Sequence, residues 1–346
     1  RKGRDDLLPL WVADMDFRLP DEILDEFHKR IDHGIFGYTD PLDEYFDAMN
    51  HWFSTRYGYT IKPEWVTLGA GIVYALGTSV KAFTEEGDAM MVMQPVYYPF
   101  SEVIKNDGRK LVNCQLRYEN NRYSIDFEKM EQMIKEENVK ALIFCNPHNP
   151  VGRVWTREEM EKVAEICLKY NVIWMVDEMH CDFIFPGHEF TSCMNLDKKF
   201  HEIIALYSSP GKTFNVAGLQ PANIIIPNEE LRKKYQWANT QAAYSQGSLM
   251  GQLAVKVCYT KVDELVEYIY ENVKYMSRYV KENFPKAKMV EPEGTYLVWV
   301  DFSGYGFSNE ELEHLMLEEA KLWLDSGIIF GQRQHSLSVS MLRVHE

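Results

Sequence analysis

Two periodicities alternate along this chain. Short apolar runs at Val66–Leu68, Ala89–Met93, Leu111–Cys114, Ala141–Cys145, Ile173–Val176, Ile203–Tyr207 and Asn223–Ile226 predict strands buried on both faces. Amphipathic segments lie between several of them. One opens after Gly69-Ala70-Gly71 and runs from about Val73 to Phe83. Another spans Arg157–Tyr170, with Thr156 as N-cap and Glu159 placed to complete a capping box. Buried strands alternating with helices predict an α/β fold, with a mostly parallel seven-stranded sheet between helices. In such sheets ligands sit at the strands' carboxyl ends.

After about Cys258 the pattern changes. A long segment rich in Glu, Lys and Tyr, Val262–Phe284, predicts a helix, and Thr295–Phe302 and then Asn309–Ser326 follow it. This reads as a smaller α+β domain. There are no internal repeats, low-complexity tracts or flexible linkers.

Composition narrows the partners. At 346 residues there is ample core for one large and one small domain, and 46% apolar content argues against disorder. The formal charge of −15 disfavours a nucleic-acid backbone or an anionic membrane as partner. No apolar run approaches the ~18 residues of a membrane helix, and no signal peptide opens the chain. Six cysteines show neither CxxC nor Cys/His metal spacing, so reduced thiols in a cytoplasmic enzyme are expected, with no metal. The opening Arg1-Lys2-Gly3-Arg4-Asp5-Asp6 lacks an initiator Met and reads as mid-protein.

The chemistry concentrates in three segments. Ser208–Gly218 carries Lys212 in a turn of small residues, after the apolar run Val172–Val176 that ends in Asp177-Glu178. Before both stands Cys145-Asn146-Pro147-His148-Asn149-Pro150-Val151-Gly152. A lysine with a carboxylate at the end of an earlier strand suits pyridoxal phosphate. The amine forms a Schiff base with the aldehyde, and the acid keeps the pyridine nitrogen protonated. Lys212 then also serves as the base that moves the Cα proton, because a desolvated lysine shifts its pKa readily. Gly71, Ile72 and Val73, opening a helix, offer backbone N–H groups and a positive dipole end to a phosphate, and Ser209 adds a hydroxyl. Several neighbours have plainer readings. Met90, Met91 and Met93 suit core packing, Tyr98 suits core or surface, and the Glu/Lys runs near Glu131–Lys140 suit a solvated helix face.

Asn149-Pro150-x-Gly152, Asp177-Glu178-x-His180 and Ser209-Pro210-x-Lys212-Thr213-Phe214-Asn215, in that order, resemble the fold-type I pyridoxal-phosphate enzymes. Trp11-Val12-Ala13-Asp14-Met15-Asp16-Phe17 and His33-Gly34-Ile35-Phe36-Gly37-Tyr38-Thr39 are similar to the cystathionine β-lyase-like (MalY/PatB) C–S lyase branch of the class I/II aminotransferase family. The resemblance runs from about Leu8 to Gly331. It implies a large cofactor-binding domain over residues 20–258, and a small domain from 1–19 and 259–346. It further implies that Asn149 hydrogen-bonds the cofactor O3′ and that Tyr97 stacks on the ring. His180 takes a position near O3′ where relatives of the aspartate aminotransferase type have a tyrosine; a purely structural histidine is the alternative. Where some aminotransferases have a phosphate-binding arginine, this chain has Gln220. Tyr38 would reach the phosphate from a neighbouring subunit, which implies a homodimer with shared active sites.

The implied reaction is β-elimination from cystathionine or a related cysteine S-conjugate, giving thiol, pyruvate and ammonia. An aminotransferase uses the same groups, and only the two branch motifs separate the readings. A regulatory binding role is a third reading, supported by no basic helix or recognition motif. The carboxyl end departs from the family, whose pattern after Gly327–Gly331 leads to R-x-N-x-A-C-P-R, the first arginine gripping the substrate carboxylate. Here the chain ends Leu337-Ser338-Val339-Ser340-Met341-Leu342-Arg343-Val344-His345-Glu346. Back-translated with suitable synonymous codons and read from the third base of Leu337, that stretch gives F-R-V-N-V-A-C-P-R. A shifted reading frame after Gly331 is therefore expected, and Arg343 is not expected to be the carboxylate-binding arginine.

Overall fold

The computed structural model describes residues 3–260, 265–331 and 337–341. All seven expected strands join one sheet. Their spatial order is Val66–Ala70, Pro221–Ile225, Ile204–Ser208, Ile173–Asp177, Ala141–Cys145, Ala89–Val92 and Lys110–Asn113. Neighbours among the last five run parallel, whereas Pro221–Ile225 is antiparallel to both of its neighbours. Alternation along each strand feeds two cores. Leu142, Phe144, Trp174, Val176 and Leu206 pack on one face, and Ala141, Ile143, Met175, Ala205 and Tyr207 on the other. Met90, Met91 and Met93 are fully enclosed, as core residues.

The helices follow their sequence signals closely. Ile72–Phe83 starts behind Gly71, and Arg157–Lys169 carries the full capping box between Thr156 and Glu159. The late helix spans Leu265–Asn283. Asn309–Ser326 is not one element. It divides into a short helix Asn309–His314, a π-helical stretch Leu315–Glu319, and the two-residue strands Leu322–Trp323 and Asp325–Ser326. The chain reverses between them at Lys321, which adopts a positive φ of 57°.

A second, four-stranded antiparallel sheet orders Lys288–Val290, Leu297–Asp301, Leu337–Met341 and Asp325–Ser326. The early strand Leu8–Pro9 pairs in parallel with the late strand Leu322–Trp323. A hairpin of Arg117–Glu119 and Arg122–Ser124, invisible in the hydrophobic pattern, sends Arg122 toward the second sheet.

A buried ionic clasp joins the two sheets' surroundings. Glu293 Oε2 accepts hydrogen bonds from Arg153 Nε and the Val154 N–H, both at 2.9 Å, while Oε1 accepts from Arg122 Nε at 2.9 Å. Arg153 is 1% exposed and also donates to Glu159 and the Tyr123 carbonyl. Burial alone would raise the Glu293 carboxyl, yet the surrounding donors hold it below its ordinary value. Gly294, next in the chain, tolerates no side chain, because a Cβ would lie 2.5 Å from the Phe183 carbonyl oxygen and 2.8 Å from Val154.

Removing one member of such a cluster strands a buried charge. Glu293→Ala should cost about 3 kcal/mol of stability, read as a lower urea midpoint. An unchanged midpoint would show that the clasp contributes nothing net.

Candidate active site

The cleft opens where parallel strands end. Cys145, Asp177 and Tyr207 are register partners on adjacent strands, so the loops that follow them fan out over one edge of the sheet. Alternation then separates the two consecutive acids. Asp177 turns into the cleft, where its Oδ1 accepts from the Met179 N–H at 2.9 Å. Glu178 turns away and is consumed by the Ser192 hydroxyl and the Cys193 N–H, each at 2.8 Å.

Nine of the ten expected residues line this cleft: Lys212, Asp177, Asn149, His180, Tyr97, Gly71, Ile72, Val73 and Ser209. Tyr38 does not. It is 95% exposed and borders a separate depression with Ala70, Gln220 and Tyr244. Asn146 is structural, bridging the Thr191 carbonyl and the Trp155 N–H. His148, buried and held near pKa 4 by desolvation, faces the carbonyls of Met93 and Pro95.

Lys212 Nζ donates to the Ala13 carbonyl at 2.6 Å and lies 3.8 Å from Asp14. Tyr296 donates its hydroxyl to the same carbonyl at 2.8 Å. Two sequence motifs thus clamp each other, since Asn215 also accepts from the Met15 N–H at 3.1 Å and donates to the Met15 carbonyl at 2.6 Å. Desolvation lowers the Lys212 pKa, with Asp14 and Asp177 opposing. Burial pushes Asp177 up to about 7, and it pushes His180 down to about 3, leaving a neutral imidazole.

The donor set fits pyridoxal phosphate on three observations. Asn149 Oδ1 and His180 Nδ1 are buried without any partner, although buried polar atoms are normally paired. Asp177 is a desolvated carboxylate that a protonated ring nitrogen would neutralise. The helix Ile72–Phe83 begins without a side-chain cap, and Gly71 at φ 87° admits no Cβ beside Gln220, so bare N–H groups border the cleft. No arginine lines the cleft among the described residues, and Arg343 lies outside them.

Sequence reasoning passed over Trp11, Ala13 and Asp14 as site residues, although their motif was in view. Tyr98, taken for core or surface, also lines the cleft, as does Asp325, which no motif marked.

Fold and cleft together define an α/β enzyme architecture with a lysine–carboxylate centre. The family model for aminotransferase class I and II matches residues 5–344, and the chain belongs to that family. It is 40% identical to the cystathionine β-lyase PatB of Bacillus subtilis, over 95% of this chain and 86% of that protein. The structure of cystalysin from Treponema denticola, which contains a pyridoxal 5'-phosphate cofactor, superimposes with a TM-score of 0.94 at 34% identity, covering 98% of this chain and 87% of that one. A PLP-bound C–S lyase from Staphylococcus hominis gives 0.90 at 30% identity, covering 97% and 87%.

The raised Asp177 pKa has a pH signature. An unfolded chain releases this proton near 3.8, the folded ligand-free chain only near 7. The contribution of the carboxyl to folding is therefore intact below about pH 4 and lost as pH rises through about 7. In ligand-free protein Asp177→Asn should raise stability at about pH 8 and lose that advantage by about pH 4. Urea melts across this range check it, and a pH-independent difference would contradict the burial argument.

Proposed function

We propose that this protein is a pyridoxal-phosphate-dependent carbon–sulfur lyase, acting on cystathionine or a related cysteine S-conjugate to yield thiol, pyruvate and ammonia. One observation carries the reading: Lys212, the desolvated Asp177 and the orphaned Asn149 Oδ1 converge in one cleft of a chain 40% identical to a cystathionine β-lyase.

When bound, pyridoxal phosphate supplies the electron sink for charge developing at the substrate Cα. Lys212 holds the cofactor through its amine. It later accepts the Cα proton, and its lowered pKa keeps more of the amine unprotonated and able to do so. Asp177 keeps the proton on the pyridine nitrogen by pairing with it in a low-dielectric wall. The Asn149 amide and neutral His180 would hold the oxygen of the ring by hydrogen bonds, and the Tyr97 ring would stack on it. N–H groups at Ile72 and Val73, with the Ser209 hydroxyl, receive the phosphate. Because Gln220 replaces an arginine, these neutral donors carry more of that task.

Tyr38 completes the phosphate site from a second copy. The exposed run Ile31, Ile35, Phe36, Tyr38 and Leu42 supports a homodimer there, as an apolar surface that calls for cover. Residues 20–258 form the large domain; 1–19 and 259–346 form the small one, with the Leu8–Pro9 to Leu322–Trp323 pairing in support. All six cysteines are free and buried, which suits a cytoplasmic location. Among the described residues no helix is long and apolar enough to cross a membrane. The family's arginine for the substrate carboxylate would come from the tail read in the shifted frame, not from Arg343. Sequencing the gene and weighing the intact protein tests the expected frame shift.

The deciding assay sets pyruvate and thiol release from cystathionine against amino-group exchange with an α-keto acid. Release should dominate; exchange alone would replace the lyase with an aminotransferase. Lys212→Ala should abolish the visible absorption of the covalently held cofactor, and an unchanged spectrum would reject Lys212. Asp177→Ala should retain that absorption while losing at least about 100-fold in turnover.

A further inference from the structure

The turn that carries Lys212 is tied at several points, and one tie leads away from the cleft. The Gly211 N–H donates to the Ser209 hydroxyl at 3.0 Å, and the Phe214 N–H to the Pro210 carbonyl at 3.0 Å. Thr213, directly after the lysine, donates its hydroxyl to Asp182 Oδ2 at 2.5 Å. Lys212 lines the cleft, whereas Thr213 and Asp182 line a separate cavity.

Asp182 is well placed to fix that turn. It follows His180 by two residues, in the loop that leaves the Asp177 strand. Its side chain is 6% exposed. Its other oxygen accepts from the Tyr57 hydroxyl and lies 3.9 Å from Arg56 Nη1, both at the end of the helix Asp43–Tyr57. Burial pushes the carboxyl up, while the Thr213 and Tyr57 hydroxyls and the Arg56 charge oppose it. A charge-assisted hydrogen bond out of water is strong and holds its donor in one place. Strand pairing sets Asp177 beside Tyr207, and the Glu178 N–H still reaches the Tyr207 carbonyl at 3.1 Å. The Thr213–Asp182 bond carries that link on into the two loops.

We propose that Asp182 is a positioning residue: through the Thr213 hydroxyl it holds the Lys212 turn at the spacing from Asp177 and His180 that the chemistry requires. This rests on the reading of Lys212 as the residue that holds the cofactor. The aldehyde and the ring nitrogen of pyridoxal phosphate lie at opposite ends of one rigid ring, so a turn that shifts serves Lys212 and Asp177 together less well. A misplacement of about 1 Å costs on the order of 100-fold in rate.

The test compares two variants of the holoenzyme: Thr213→Val, which deletes the hydroxyl, and Thr213→Ser, which keeps it. Turnover is measured in whichever assay the wild type supports, pyruvate release or amino-group exchange, and the cofactor dissociation constant is read from the visible absorption. Thr213→Val should lose at least about 10-fold in kcat with KM within about threefold, and hold the cofactor at least about fivefold more weakly. Thr213→Ser should stay within about threefold of the wild type in both. In an Asp182→Ala background, Thr213→Val should cost less than about threefold further, because the bond is already gone. A lower urea midpoint with wild-type kcat and cofactor affinity would make the bond structural only, and overturns the proposal. So does a Thr213→Ser enzyme that loses as much as Thr213→Val, or a valine that costs as much without Asp182. Should Asp182→Ala fail to fold, the Thr213 pair decides alone; should the wild type turn over neither substrate, the dissociation constants decide by the same comparison. Visible absorption that survives in Lys212→Ala is a different result: it removes Lys212 as the cofactor's anchor, and this proposal with it.

Discussion

The constraint on which the site depends is the burial of Asp177 at the end of an interior strand. Its strand is paired in parallel with Ala141–Cys145 and Ile204–Ser208, the residue is 7% exposed, and among the described residues the hydrogen bond to its carboxyl comes from the Met179 N–H. A carboxylate in that position is costly until a cation arrives. The strands are stable because both faces of the sheet are packed, so the fold itself can sustain the unfavourable group. The electrostatic demand of the cleft is thus set by backbone pairing far more than by neighbouring side chains.

Lys212 answers the same demand from the opposite wall. It is held by a carbonyl of the amino-terminal segment, which Asn215 and Tyr296 lock in place. The segment that carries Trp11 and Ala13 is therefore both a wall of the cleft and a strap across it. Its other end is fixed by pairing with Leu322–Trp323, while the Glu293–Arg153 clasp and the tight approach of Gly294 fix the loop below the second sheet. Chain segments hundreds of residues apart converge here because each buries its own polar groups against the others.

Several acids surround this centre, and their environments divide the labour. Asp177 is buried and desolvated, Asp14 is half exposed beside the lysine, Glu178 is fully satisfied on the far side of its strand, and Asp325 lies between the cleft and a second pocket. Identical chemistry is sorted into different roles by burial and partners alone.

Much of this was legible in the linear order of residues. Seven apolar runs became the seven strands, and Thr156 with Glu159 became the capping box, because these signals are local and repeat with the period of the element. Lys212, Asp177, Asn149 and the Gly71–Val73 turn were visible because their residue types sit where strands end. The division of Asn309–Ser326 was not legible, since its break at Lys321 depends on pairing with distant strands. The capture of Glu178 by Ser192 and Cys193, the capture of the lysine by the Ala13 carbonyl and the placing of Asp325 between the cleft and a second pocket were decided by tertiary structure. Each depends on which surfaces lose water when remote segments meet, and desolvation leaves no trace in local sequence.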